Sequence, residues 1–203
     1  ILAVVALYAR TVFTNWEAIK RIVVAFVPTG ILGLLFYKIV KTYLLGSNTV
    51  VVWSLLIGGA GLIIFELWHR EREGSINDLA KITYPQALLI GLFQSVAMIP
   101  GVSRSAATIV GGLILGVYRK TIVEFSFLLA IPTMAAATLL DLIKNIHLFS
   151  GSQLNGLAVG FITAFVAAII AIKFLLKFIQ SHTFIPFGIY RIIVALAFLI
   201  FFL

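Results

Sequence analysis

The chain has 203 residues, 62% of them hydrophobic and 11% charged, and its mean hydropathy is +1.17. A soluble domain is roughly 45–50% apolar and about 25% charged, so a water-soluble core of this size cannot hide so much apolar surface and lipid must cover the rest. There is no cysteine, which excludes disulfides and thiolate metal sites, and the net charge of +8 is scattered over the ends of apolar runs, which reads as membrane orientation and not as nucleic-acid binding.

A membrane span takes about 20 residues at ~1.5 Å each. The chain opens at Ile1 inside an apolar run with no charged leader. Ile1–Phe13 is therefore expected to be the end of a first span, with an N-terminus that is truncated. Thr14–Arg21 reads as a polar connection and Ile22–Leu45 as a second span with Pro28 near its start. Val50–Trp68 is a third span. His69–Lys81 is the longest charged loop, carrying Arg70, Glu71, Arg72, Glu73 and Asp78. Ile122–Ile143, Leu154–Phe178 and Ile185–Leu203 are three further spans.

Thr83–Tyr118 differs. It consists of two apolar pieces, Tyr84–Ile99 and Val102–Tyr118, broken by Pro100-Gly101. Proline removes a backbone donor and glycine permits unusual dihedrals, so the pair ends one helix and lets another begin. A break at membrane depth is tolerated only where protein or a water-filled cavity satisfies the backbone. Charge counting favours a re-entrant hairpin. One side then collects ten basic residues (Arg10, Lys20, Arg21, Arg70, Arg72, Lys81, Arg119, Lys120, Lys173 and Lys177) against three on the other (Lys38, Lys41 and Lys144). By the positive-inside rule the ten-charge side is cytoplasmic and the C-terminus faces out. Arg104 and Arg191 fall inside or at the edge of apolar segments. The expected fold is all-α: a polytopic membrane protein of about six transmembrane helices plus a re-entrant half-helix pair at 83–118, in one integral domain over 1–203. Gly112 with Gly116, Gly156 with Gly160, and the trio Gly58, Gly59 and Gly61 are expected to allow close helix packing.

The strongest chemical signal is Pro100-Gly101-Val102-Ser103-Arg104-Ser105. A buried arginine costs several kcal/mol unless paired, so one inside the membrane marks function. Its surroundings suit an anion: Ser103 and Ser105 offer hydroxyls, and the helix that starts here offers free N–H groups and the positive end of its dipole. Thr108 follows Arg104 by one turn, and a guanidinium matches phosphate oxygens in a bidentate way. The competing reading makes Ser103 or Ser105 a plain helix cap, with Arg104 reaching the interface or pairing with an acid. Gln94 in the first half-helix either bonds a neighbouring helix or contacts substrate. Glu66, Glu124 and Asp141 lie near span ends, where each suits pairing with a basic residue, and Glu71, Glu73 and Asp78 suit a solvated loop. No two carboxylates have metal-ligand spacing, and His69, His147 and His182 have no companion that reads as a catalytic base.

These residues resemble the undecaprenyl-diphosphate phosphatase family, also called bacitracin-resistance proteins. The likeness is carried by Gln86-Ala87-Leu88-Leu89-Ile90-Gly91, Gln94, Pro100-Gly101-Val102-Ser103-Arg104-Ser105 with Ala106-Ala107-Thr108-Ile109, and Glu124 to Pro132. It also runs through Ala25-Phe26-Val27-Pro28 and Pro186-Phe187-Gly188-Ile189-Tyr190-Arg191, essentially the whole chain. Ala106 stands where glycine is usual. The resemblance implies removal of the terminal phosphate of a C55 polyprenyl diphosphate, giving the monophosphate carrier recycled in cell-wall assembly. It implies a fold of two inverted repeats, each with a re-entrant pair. It makes Arg104 and Ser103 catalytic and gives Ser105, Thr108, Gly101 and Gln94 to substrate binding. A divalent cation, magnesium or calcium, is implied, with its ligands mostly in a Glu-rich first motif ending in Ser-Ser-Thr-Gly-His. That motif is expected upstream of Ile1, which would leave the site incomplete here; Gln94 and Met98 stand where its acids would align. The expected partners are a polyprenyl diphosphate lipid, membrane lipids and a second copy in a homodimer, with no nucleic acid. The expected location is the inner (plasma) membrane. The alternative function is a transporter or flippase for an anionic solute or polyprenyl phosphate lipid, since half-helices facing an anion suit transport equally.

Overall fold

Asn15 starts the first long helix. Its side chain accepts from the Ala18 N–H at 3.0 Å, and Glu17 in the first turn pairs with Lys20 at 2.8 Å and Arg21 at 2.7 Å. Charges spaced three and four apart stack on one helix face. The stretch expected to be a connection is therefore the opening of α3, Trp16–Ile39, which continues through a π turn at Val40–Leu44. The structure, a computed structural model, describes residues 1–70, 74–145, 154–179 and 182–202. Glu71, Arg72, Glu73 and His147, and the side chain of Lys144, lie outside what is described.

Upstream, the expected single run is two six-residue helices, α1 (Leu2–Leu7) and α2 (Ala9–Thr14), which part at Tyr8. The Tyr8 ring packs against both apolar clusters of the protein. Then follow α4 (Asn48–Trp68), α5 (Tyr84–Ser95), α6 (Arg104–Ile114), α7 (Arg119–Asn145), α8 (Leu154–Phe178) and α9 (Ile185–Phe202). Among the described residues four helices are long and apolar enough to cross a membrane: Trp16–Leu44, Asn48–Trp68, Arg119–Ile143 and Gly156–Phe178. α9 is a shorter apolar helix. The architecture is that of an all-α polytopic membrane protein.

The half-helices α5 and α6 stand at its centre. Thr83 and Gln86 close a capping box at the start of α5. Twelve residues rise only about 18 Å at ~1.5 Å each, so neither half crosses a ~30 Å core alone. Both outer ends lie together. Gln86 Nε2 donates to the Leu115 carbonyl at 2.9 Å, and Ile76 bridges to the end of α6 through Gly116 and Tyr118, each at 2.9 Å. Charged groups anchor this end: Arg119 pairs with Glu66 at 2.8 Å, with side chains 17% and 3% exposed, and the Arg21 Nε donates to the Ile82 carbonyl.

α3 packs along α5, α5 on α6, α6 on α7, α4 along α9, and α1 against α8. The central cluster draws Ile22 and Ala25 from α3, Ile90 from α5, Leu113 from α6 and Phe125, Leu128 and Leu129 from α7. Glycines set the closest approaches, though not everywhere expected. A Cβ at Gly59 would lie 2.8 Å from the Gly188 carbonyl oxygen, and one at Gly91 would overlap the Ala25 backbone. Gly112 makes room for Ile122. Its expected packing partner Gly116 instead ends α6 at φ +80°, with nothing within 4 Å. Gly61, Gly156 and Gly160 also face open space, so the two on α8 make no close helix contact among the described residues. Only 6% of the α8 window is buried among the described residues.

Two outcomes follow from this packing. Gly91→Ala places a methyl on the Ala25 backbone and should cost about 1–3 kcal/mol, read as a lower melting temperature in detergent. Glu66→Ala leaves the partly buried Arg119 charge without this carboxylate and should cost about 1–3 kcal/mol. Glu66→Gln, which keeps a polar partner, should cost less in the same measurement.

Candidate active site at the helix break

The break is a tight turn. Val102 N–H donates to the Ile99 carbonyl at 3.1 Å, with Pro100 at the second position and Gly101, at φ +91°, at the third. Proline presets the first central residue of such a turn, and glycine accepts the positive φ that the next one needs. Gly101 also lies flat on α4, where a Cβ would sit 2.6 Å from the Val51 carbonyl oxygen. Two constraints thus require glycine here: the dihedral and the close approach.

α6 begins directly after this turn. Ser103 is its cap, accepting from the Ala106 N–H at 3.3 Å, and its Oγ lies 3.1 Å from Ser105 Oγ. Beside them opens a cavity of about 290 Å³ between α4, α6, α7, α8 and α9. Its polar lining is Gly101, Ser103, Ser105, Ser126 and Arg191. The remaining wall is apolar, with Phe127, Leu175, Phe184, Phe187 and Tyr190 prominent.

The other residues singled out in the sequence lie elsewhere around the break. Arg104 is half-buried and reaches α7, donating through Nη1 to Thr133 Oγ1 at 2.9 Å, with Nη2 3.8 Å from Met134 Sδ. It does not line the cavity and makes no ion pair among the described residues. Thr133 is held in turn by the Leu129 and Ala130 carbonyls at 2.8 and 3.2 Å. Thr108 is fully buried, its Oγ1 2.9 Å from the Arg104 carbonyl and 3.3 Å from Gln94 Oε1. Gln94, 1% exposed, donates through Nε2 to Thr29 Oγ1 at 3.1 Å, and Thr29 donates to the Gly91 carbonyl at 3.1 Å. The structure therefore groups Gly101, Ser103 and Ser105 at the cavity, sets Arg104 on the α7 side, and joins Gln94 and Thr108 in a polar bridge from α3 through α5 to α6.

Arg191 is the residue that sequence reasoning passed over. It was visible as a charge in an apolar segment and within the Pro186–Arg191 run, and an intramembrane arginine is a site candidate on that ground alone. Ser126, 4% exposed, gave no signal beyond its run. The two described histidines stack away from the cavity, His69 on Phe65 at 4.9 Å and His182 on Phe178 at 4.2 Å.

Hydroxyls, helix N–H groups and guanidinium donors suit a phosphate or another oxyanion. They do not suit a divalent cation, which takes carboxylate and carbonyl oxygens. No carboxylate lines the cavity, and the described residues hold no group of three or more His, Cys, Asp or Glu.

Residues 1–197 match the family described as the bacitracin resistance protein BacA. Curated relatives named undecaprenyl-diphosphatase are similar over nearly the whole chain. One from Sulfurihydrogenibium is 54% identical over 97% of this chain and 77% of its own length. One from Aquifex aeolicus is 48% identical over 100% and 79%, and one from Methanococcus aeolicus is 45% identical over 100% and 78%. With the match spanning almost every described helix and the whole break motif, the chain belongs to the bacitracin resistance protein BacA family.

Proposed function

We propose that this protein is a membrane phosphatase that hydrolyses undecaprenyl diphosphate to undecaprenyl phosphate and inorganic phosphate. The observation that carries this reading is the break itself: a capped helix N-terminus, two serines and two guanidinium groups around one turn, beside an apolar cavity. The shared name of the relatives supplies the substrate and does not favour the transporter or flippase alternative.

In this reading the diphosphate lies at the α6 N-terminus and the lipid tail leaves along the apolar wall. The anhydride P–O bond breaks, water provides the new oxygen on the terminal phosphorus, and undecaprenyl phosphate leaves. Ser103 and Ser105 present hydroxyls and backbone N–H groups to phosphate oxygens. Arg104 exchanges the Thr133 hydroxyl for a phosphate oxygen and stabilises the charge that develops on the transferring group. Gln94 and Thr108 act as positioning residues, since their bridge fixes the first turn of α6 against α5. Gly101 lets the turn seat against α4 and so positions the α6 N-terminus for substrate. A divalent cation, magnesium or calcium, is proposed on the resemblance alone; no step above runs through it, and the lining residues do not hold it. The inner membrane, an outward C-terminus and a homodimer are likewise proposals. The inner membrane rests on the family resemblance, the outward C-terminus on the distribution of basic residues, and the dimer on no contact within this chain.

The test is inorganic phosphate release from a C55 diphosphate in detergent, with magnesium or calcium, on the full-length protein. Arg104→Ala should lower kcat/KM at least about a hundredfold, the scale of a lost transition-state donor. Movement of the lipid across vesicles without phosphate release would overturn the reading.

A further inference from the structure

We propose that Arg191 is the second guanidinium of the diphosphate site, gripping phosphate from α9 while Arg104 acts from the first turn of α6. The inference deepens the phosphatase reading and rests on it. Arg191 is 8% exposed. Its Nη2 donates to the Ser54 and Gly101 carbonyls, both at 3.0 Å. Those carbonyls fix the group in place without neutralising it. Its Nε is buried with no hydrogen-bond partner, and it makes no ion pair among the described residues. A buried charge without a counter-charge is strongly unfavourable.

The surroundings are arranged for that charge. A Cβ at Gly58 would overlap the Arg191 guanidinium, so glycine at 58 makes the space that the group fills. The cavity that Arg191 lines otherwise offers Ser103, Ser105 and Ser126 as its polar side chains. A fixed cation facing hydroxyls in an apolar chamber lacks one component, an anion. Arg104 stands on the first turn of α6 and leans to α7, and Arg191 reaches the turn just before it from α9. A diphosphate has two charged groups for two such cations; a monophosphate has one. Arg191 therefore contributes to selecting the diphosphate over the monophosphate product.

The test measures binding apart from turnover. Melting temperatures of the full-length protein in detergent are titrated with inorganic pyrophosphate and, separately, inorganic phosphate, alongside kcat and KM for the C55 diphosphate. Wild type should bind pyrophosphate more tightly than phosphate. Arg191→Gln should weaken pyrophosphate binding about thirtyfold or more and remove that preference, with Arg191→Lys intermediate. If both variants bind pyrophosphate like wild type and merely melt earlier, Arg191 is only a staple and the proposal falls. Should they fail to fold, Gly58→Ala keeps the arginine but displaces it; unchanged pyrophosphate binding in that variant also overturns the proposal. Arg191-dependent pyrophosphate binding by a protein that releases no phosphate would uphold the anion site and remove the phosphatase reading instead.

Discussion

A chain that turns back among apolar helices must find protein partners for the backbone groups that helix geometry no longer pairs. Here the Gly101 carbonyl is taken by Arg191, from a helix 90 residues further along the chain. Much of the local architecture follows from that bond. The turn must lie against α4 for Ser54 and Gly101 to share one guanidinium. α4 and α9 must approach closely, which Gly59 and Gly188 allow, and Gly58 must lack a side chain to admit the arginine. The backbone requirement thus brings a permanent positive charge to the Pro100-Gly101 break.

The half-helices are short, and isolated helices of this length are marginal. Their order comes from the long helices on either side, which use the same device. α3 carries Pro28-Thr29 and α7 carries Pro132-Thr133. Thr29 reaches α5 through Gly91 and Gln94, and Thr133 receives Arg104 of α6. In each case the threonine hydroxyl sits one residue after a proline and holds one half of the hairpin. At the opposite end Gln86, Ile76 and the Glu66–Arg119 pair tie the two outer ends together. The break is therefore suspended from both sides and anchored below. The serine cap and the first turn of α6 are thereby held in place by the packing around them.

In the proposed site Arg104 and Arg191 divide the electrostatic work by geometry. Arg104 is half-buried and its present partner is a neutral hydroxyl, which an anionic oxygen can displace. Arg191 is almost wholly enclosed and pinned by two carbonyls. One is placed to move toward a ligand, while the other presents charge from a fixed position.

The sequence by itself determined the class of solvent, the break and the first candidate for its chemistry. Hydropathy required lipid because apolar area scales with composition whatever the fold. Pro100-Gly101 required a turn because the ring and the missing Cβ act locally. Arg104 was legible because a charge in an apolar run is costly in any arrangement. The start of α3 was misread, since the Glu17 pairs that sustain its first turn look like any polar connection in one dimension. Only the tertiary structure decided that Arg104 leans to α7, that Gln94 and Thr108 face each other, and that Arg191 stands at the cavity. Helical periodicity fixes the angle of a side chain about its own axis but not which neighbour lies in that direction. The glycines show the same limit: Gly59 is a contact, Gly116 a turn and Gly160 an open face, although the residue is the same in each. What distinguishes them is the partner across the interface, and that is set by packing between segments far apart in the chain.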